Sequence, residues 1–426
     1  MPARTLEPAL ARSPRRCHVA IVQWASALCE TTRPTEALEG LAAGLAPLIQ
    51  ESAEPAGGEQ GGEPGIDLLL LFVSPQLRPH ANELTRRLRE RLSPKVMLGC
   101  TGAGVIGAGR ELELQPGVSA LAGRLPGVEL RLFRLDGDEL PTPDDPPGRW
   151  VELLGVPPQP TPHFLLLCEP GGGTDPNRLL EGLDFAYPQS TIVGGLASDS
   201  PSNLLFLDQG VHHEGVVGVA LTGNVALDPV VAQGCRAVGP TLTVTECQHN
   251  LLLGLDGKRP TEVLEDLYRD LAGSDASLLE RSLHLGVAST GLLDESSEPE
   301  FLIRNVIGAD PRRGILAVGA LLRRGQRVRF HLRDGAAAKE DLAQHLRRYQ
   351  AQGHATSPTG AVLFSCTGRG EHLYGEPDHD TRLFRELLGP TLPVGGFFCA
   401  GEIGPVGADT CLLGYTSSFG VFRPLE

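Results

Sequence analysis

The chain has 426 residues, 41% of them hydrophobic, and a formal net charge of −15 at pH 7. That length accommodates two or three domains with proper cores, and no apolar run approaches the roughly 18 residues of a membrane-spanning helix. The negative balance argues against a nucleic-acid partner, which needs a local positive excess. Nine cysteines form no CxxC pair and no zinc-like Cys/His spacing. Several sit inside apolar runs, so free thiols in a reducing cytoplasm are expected, with no metal and no cofactor.

The Arg- and Ala-rich opening, residues 1–17, reads as a disordered tail, with an organelle transit peptide as the alternative. Residues 18–26 (HVAIVQWAS) read as a first strand. Residues 34–50 read as a helix with Leu38, Leu41, Leu45 and Leu48 on one face, which Pro47 could end early. The Gly/Glu/Pro-rich stretch 51–65 reads as a surface loop.

A pattern then occurs three times: an apolar strand, a Gly-rich stop, a short helix, and a second apolar strand running into glycines. The first copy is LLLLFVSP (68–75) followed by LGCTGAGVIG (98–107). The second is HFLLLCEPGGG (163–173) followed by TIVGGLASD (191–199), and the third is GAVLFSCTGRG (360–370) followed by LPVGGFFCAGEIGPVG (392–407). The separation of roughly thirty residues is that of a βαβ unit, and ligands bind such sheets at the strand ends where these glycines fall. The helices of the copies are expected near 81–92, from Asp175 as N-cap with Pro176 behind it, and from about Asp380 to Gly389.

Antiparallel signals lie between the copies. Residues 129–135 and 327–333 alternate polar and apolar, and 215–231 reads as a hairpin turning at Gly223-Asn224. Eight prolines between 136 and 162 predict a connector. A helix is expected over 260–272 and a strand over 283–289, with the domain boundary between 245 and 282.

The runs VGGLASD, GVVGVALTGNVALDPVVAQGCRAVGPTLTVTEC and VMLGCTGAGVIG resemble a FIST N-terminal domain. LGVAST, FLIRNVIGADPRRGILAVGALLRRGQRVRFHLRD, VLFSCTGRGEHLYGEPDHD and GGFFCAGEIGPVG resemble a FIST C-terminal domain. The resemblance implies an α/β fold of two related domains, 18–250 and 283–426, joined by a helical connector at 251–282. Mixed sheets of βαβ units and hairpins would have helices outside, with a pseudo-twofold relation between the domains. It also implies a soluble sensory module that binds a small ligand, such as an amino acid, in intracellular signal transduction with an unidentified partner protein. The F-box of some eukaryotic members has no counterpart in this chain.

Residue chemistry adds candidates to that expectation. Cys366, Gly368, Arg369 and Gly370 follow the first strand of the third copy, where glycines let a ligand approach backbone N–H groups. Arg369 offers a bidentate fork for a carboxylate, or else pairs with a nearby acid. Gly401 and Glu402, on the loop after the neighbouring strand, would supply the matching acid. Ser198 and Asp199 occupy the equivalent loop of the second copy, where an Asx turn is the plainer role. Arg304, Asn305 and Arg333 lie in or at the ends of apolar strands, where a charge is paired or functional. Cys366 and Cys399 invite a nucleophile reading, against which stands simple packing of buried thiols. The leading expectation is a ligand-binding sensor without catalysis. An enzyme with a cysteine nucleophile and a protein–protein adaptor are the alternatives.

Overall fold

The computed structural model describes residues 21–50, 65–171, 173–271, 274–288 and 300–425. The expected tail at 1–17 and nearly all of the loop at 51–65 lie outside them.

The first unit runs β1 (Gln23–Cys29), α1 (Pro34–Gln50), β2 (Leu68–Val73), α2 (Ala81–Leu92), β3 (Val96–Thr101), β4 (Gly104–Gly107), β5 (Arg110–Glu113) and β6 (Val118–Arg124). The second repeats the order: β7 (Val128–Leu135), α3 (Pro147–Leu154), β8 (His163–Cys168), α4 (Pro176–Ala186), β9 (Ile192–Leu196), β10 (Leu205–Leu207), β11 (Gly210–His212) and β12 (Val216–Gly223). The third opens with β13 (Ala226–Ala232) and is then interrupted by β14 (Cys235–Gln248), β15 (Leu251–Leu255), α5 (Pro260–Asp270), α6 (Ser274–Arg281), β16 (Leu283–Ala288), β17 (Phe301–Asp310), β18 (Ile315–Val318) and β19 (Arg327–Arg333). It resumes with α7 (Gly335–Ala351), β20 (Gly360–Cys366), α8 (Glu371–Tyr374), α9 (His379–Leu388), β21 (Val394–Cys399), β22 (Glu402–Val406), β23 (Asp409–Leu413) and β24 (Ser417–Arg423).

Three six-stranded sheets result, in the orders β1-β6-β2-β3-β10-β11, β7-β12-β8-β9-β22-β23 and β13-β24-β20-β21-β4-β5. Each holds one parallel pair, β2/β3, β8/β9 or β20/β21. Each also borrows its last two strands from another unit, so the hairpins are exchanged in a cycle. All three anticipated copies are therefore βαβ units. The relation among them is a pseudo-threefold, where a pseudo-twofold between two halves was expected.

The helices follow their local signals. The Asp175 carboxylate accepts the Asn177 amide at 2.9 Å behind Pro176, and α2 buries Leu84, Leu88 and Leu92. Pro47 sits inside α1 without ending it. Two expectations about these elements fail. Residues 215–231 are not a hairpin, because β12 pairs with β7 and β8 while β13 pairs with β24. The proline-rich stretch 136–162 contains α3, whose Pro147 occupies the first turn, where a missing N–H costs nothing.

The inner faces of the three sheets meet in one core that includes Phe72, Leu167, Phe364 and Phe397. Phe397 stacks on Phe72 with centroids 5.0 Å apart and meets Phe364 edge-on. The inserted segment closes a six-stranded barrel, β14-β15-β18-β17-β16-β19, around Val244, Leu285, Val328 and Phe330. The barrel spans the expected boundary, since Leu251–Leu255 of the anticipated helical connector is one of its strands. No helix among the described residues is long and apolar enough to cross a membrane.

Gly99, Gly194 and Gly396 are equivalent by register, and a Cβ at any of them would overlap the carbonyl oxygen of Leu71, Leu166 or Leu363. Substituting each by Ala should cost about 2 kcal/mol or more, since backbone rather than a mobile side chain must give. Gly308→Ala, whose new methyl group meets only open space and the Ala317 methyl at 4.0 Å, should stay within about 0.5 kcal/mol. Urea titration of the four variants tests this, and equal costs would refute the close-approach argument.

Candidate functional site

The three central strands end at Ser74, Glu169 and Cys366, whose amides donate to the carbonyls of Gly117, Gly215 and Thr416, each at 3.0 Å. Two of the three side chains are satisfied at once. Ser74 accepts the Gly117 amide at 2.8 Å, and Glu169 accepts from Asn203 at 3.0 Å. Cys366 is buried, and the main-chain amides of Gly368 and Tyr415 lie close enough to its thiol to lower the thiol pKa. Burial first, then the neighbouring Glu402, raises the thiol pKa, while these amides and Arg333 pull it down.

Arg369 is fully buried, and its fork is already occupied. Nε donates to Asp380 at 3.0 Å, Nη1 to the Tyr415 carbonyl at 3.0 Å, and Nη2 to the Tyr374 hydroxyl. Burial alone would raise the Asp380 pKa. Arg369, His379 and Ser417 outweigh it and hold the carboxylate well below its usual range. The anticipated ligand fork is thus an internal tie between the loop after β20 and the start of α9. Its acid is Asp380, eleven residues on, where Glu402 was expected.

Glu402 does not lie on a loop. It opens β22 and sits opposite Gly195 of β9, a position filled by Val105 and Leu205 in the other two hairpins. The third hairpin therefore carries a carboxyl group into the apolar position. Its Oε2 accepts the Thr416 amide at 3.1 Å, and its Oε1 is buried with no partner. Burial pushes the pKa up to about 8, against the pull of that amide, Arg369 and Arg333, which favours the protonated form.

The barrel supplies the opposite wall. Arg333, the last residue of β19, donates from Nη2 to the Gly368 carbonyl at 2.6 Å and lies over the Tyr415 ring at 4.5 Å. Its Nε is buried and unpartnered. The imidazole of His284 meets the same ring edge-on at 4.5 Å, and the Tyr415 hydroxyl bonds Asn305. Tyr415 has a left-handed backbone at φ 66°, which costs a residue with a Cβ roughly 1–2 kcal/mol. That conformation accompanies three simultaneous contacts: its amide toward Cys366, its carbonyl toward Arg369, and its ring under Arg333. A ring of contacts therefore runs Cys366, Gly368, Arg333, Tyr415, Thr416, Glu402.

The structure brings together Cys366, Gly368, Glu402, Asn305 and Arg333 from the sequence expectations. Gly370, at φ 80°, lets the Glu113 carboxylate close on the loop. Gly401 receives the Leu196 amide. Ser198 accepts the Ala103 amide and donates to the Phe398 carbonyl, tying the three hairpin entries together. Asp199 is salt-bridged to Arg78 at 2.8 Å. Arg304 donates to the Leu412 carbonyl at 3.0 Å, docking the barrel on β23. Tyr415, Thr416, Asp380 and His284 were not foreseen; the chain has only five tyrosines, and Tyr415 follows a glycine as Gly-bounded site residues do. Two surface cavities of about 380 and 450 Å³ share no residue with this cluster.

Two stability measurements follow from the burial. Arg369→Ala takes the guanidinium away from the buried Asp380 carboxylate, leaving it only His379 and Ser417, and should cost about 3–5 kcal/mol. Glu402 is raised in the folded state from 4.5 to about 8, so its contribution is full below the unfolded value and is lost as pH rises through the folded one. Glu402→Gln cannot ionise, and its stability relative to the parent should rise between about pH 5 and pH 8.5. Glu111, also pushed up to about 8 by burial and Asp380, keeps part of the slope in both proteins. Parallel pH–stability curves for the two proteins would contradict the protonation of Glu402.

The FIST N domain family model matches residues 67–258 and the FIST C domain model residues 261–405. An uncharacterised protein of Mycobacterium tuberculosis H37Rv, Rv0628c, is 32% identical over 392 residues, covering 90% of this chain and 99% of the relative. The F-box/LRR-repeat protein At5g63520 of Arabidopsis thaliana is 26% identical over 279 residues, 57% of this chain and 51% of the relative. Among solved structures, a cyanuric acid hydrolase from A. caulinodans aligns over 95% of this chain and all of its own at 9% identity, with a TM-score of 0.35. On the two domain matches and the full-length relative, the chain belongs to the FIST family.

Proposed function

We propose that the protein is a sensory module for intracellular signal transduction that binds a small carboxylate-bearing molecule between the barrel and the third unit. FIST domains are associated with signal transduction and ligand sensing. One observation carries the assignment: two buried polar atoms, Arg333 Nε and Glu402 Oε1, lack partners within the same ring of contacts. A buried polar group without a hydrogen bond costs about 1–3 kcal/mol, and a ligand that supplies both bonds recovers it. Arg333 provides the cation for a carboxylate, and amino acids meet that requirement.

The free cysteines among the described residues suit a reducing cytoplasm. A change in how the barrel sits on β23 and Tyr415 would carry the signal to a partner protein. The raised Cys366 pKa disfavours the rival reading of an enzyme with an activated thiolate nucleophile.

Mass spectrometry of small molecules released from purified protein, followed by thermal-shift titration with those carboxylates, tests the reading. Arg333→Gln should weaken binding about tenfold or more, since a charged hydrogen bond contributes roughly 1.5–3 kcal/mol. Arg78→Gln, which lies with Asp199 outside the ring, should leave binding unchanged. Equal affinities for the parent and Arg333→Gln would remove this cluster as the site.

A further inference from the structure

Within this binding reading, on which the inference rests, we propose that Cys366 holds its ligand covalently and reversibly. The adduct is the thiohemiacetal of a small oxo acid, an aldehyde or ketone carbonyl that also carries a carboxylate. The argument begins with the pseudo-threefold comparison. Ser74 and Glu169, the counterparts of Cys366, have their side chains satisfied, whereas the Cys366 thiol lies within electrostatic reach of the Gly368 and Tyr415 amides and of the Glu402 carboxyl group. That carboxyl group, fully buried on Glu402, has one oxygen without a partner. Thr416 fixes the geometry, because its carbonyl accepts the Cys366 amide and its amide donates to Glu402 Oε2. The residues of nucleophile and acid are thus held by the carbonyl and the amide of one residue.

The chemistry of the acid selects the ligand. A protonated Glu402 presents an O–H donor, which suits an acceptor oxygen such as a carbonyl and not an ammonium group. In the addition, a sulfur lone pair forms the C–S bond as the carbonyl π pair moves onto oxygen. Glu402 gives its proton to that oxygen and takes the proton of the thiol. Atoms and charge balance, nothing is oxidised and no group leaves, so the adduct reverses by the same path. Arg333 Nε then meets the carboxylate. The N–H groups of Gly368 and Tyr415 steady the sulfur while its proton is in transit.

Glyoxylate labelled with carbon-13 at its aldehyde carbon is the probe, read by NMR and by melting temperature on the full chain, with glycine as the non-electrophilic comparison. The expected result is a new sulfur-bound carbon signal in the parent protein, absent in Cys366→Ser, and a stabilisation by glyoxylate that this variant loses. Arg333→Gln should weaken the apparent affinity about tenfold, and Glu402→Gln should slow formation of the adduct without preventing it. Stabilisation of Cys366→Ser by glyoxylate equal to that of the parent overturns covalent capture and leaves a non-covalent carboxylate site standing. Stabilisation by glycine with no effect of glyoxylate does the same. If neither probe binds the parent and no carboxylate is released from it, the binding reading fails as well.

Discussion

The cyclic exchange of hairpins is the constraint on which the rest of this molecule depends. Each sheet is completed by two strands from another unit, so no unit can close its own sheet. The three glycines that admit a neighbouring carbonyl oxygen bring each parallel pair close at the point where the borrowed strand joins. The hairpin entries interlock through Ser198, whose hydroxyl reaches the backbone of both other units. Folding stability is therefore shared among distant segments, and substitutions at the meeting point are expected to act on all three sheets together.

The exchange also explains how a site arises on an otherwise repetitive scaffold. Three strand ends are equivalent, and two are closed by their own side chains. At the third, the borrowed β22 carries Glu402 where its counterparts carry Val105 and Leu205. The barrel inserted between β13 and α7 brings Arg333 and His284 to the same place. An apolar position has become acidic, and a cation has been brought within reach of it. Because the barrel docks through Arg304 on β23 and Asn305 on Tyr415, any ligand that moves Arg333 or Tyr415 also bears on that docking.

The repeats, the caps and most helix limits were legible in the sequence because they are local. A strand of β-branched and leucine residues, a glycine stop and an Asp-Pro start each act within a few residues. Strand partners were not legible, and the two misread features share that cause. Gly223-Asn224 has turn chemistry, yet the strands around it leave for different sheets. Glu402, with Gly401 and Gly404 close by, has loop composition, yet it is held in β22 between β9 of the second unit and β23. The ligand fork assigned to Arg369 failed for a related reason. Its glycine neighbours gave no hint that Asp380, at the start of a helix eleven residues later, would fold back onto it.

The buried Arg369–Asp380 pair has a place in the site all the same. A desolvated ion pair contributes little net stability by itself, but here it fixes a strained neighbour. Arg369 Nη1 holds the Tyr415 carbonyl, and Ser417, two residues on, bonds Asp380. The segment between β23 and β24 is thereby clamped from the helix side, with Tyr415 in its left-handed conformation. In that conformation one short segment brings an amide toward Cys366, offers the Thr416 amide to Glu402, and sets a ring under Arg333. The residue first expected to touch the ligand thus positions those that form the candidate site.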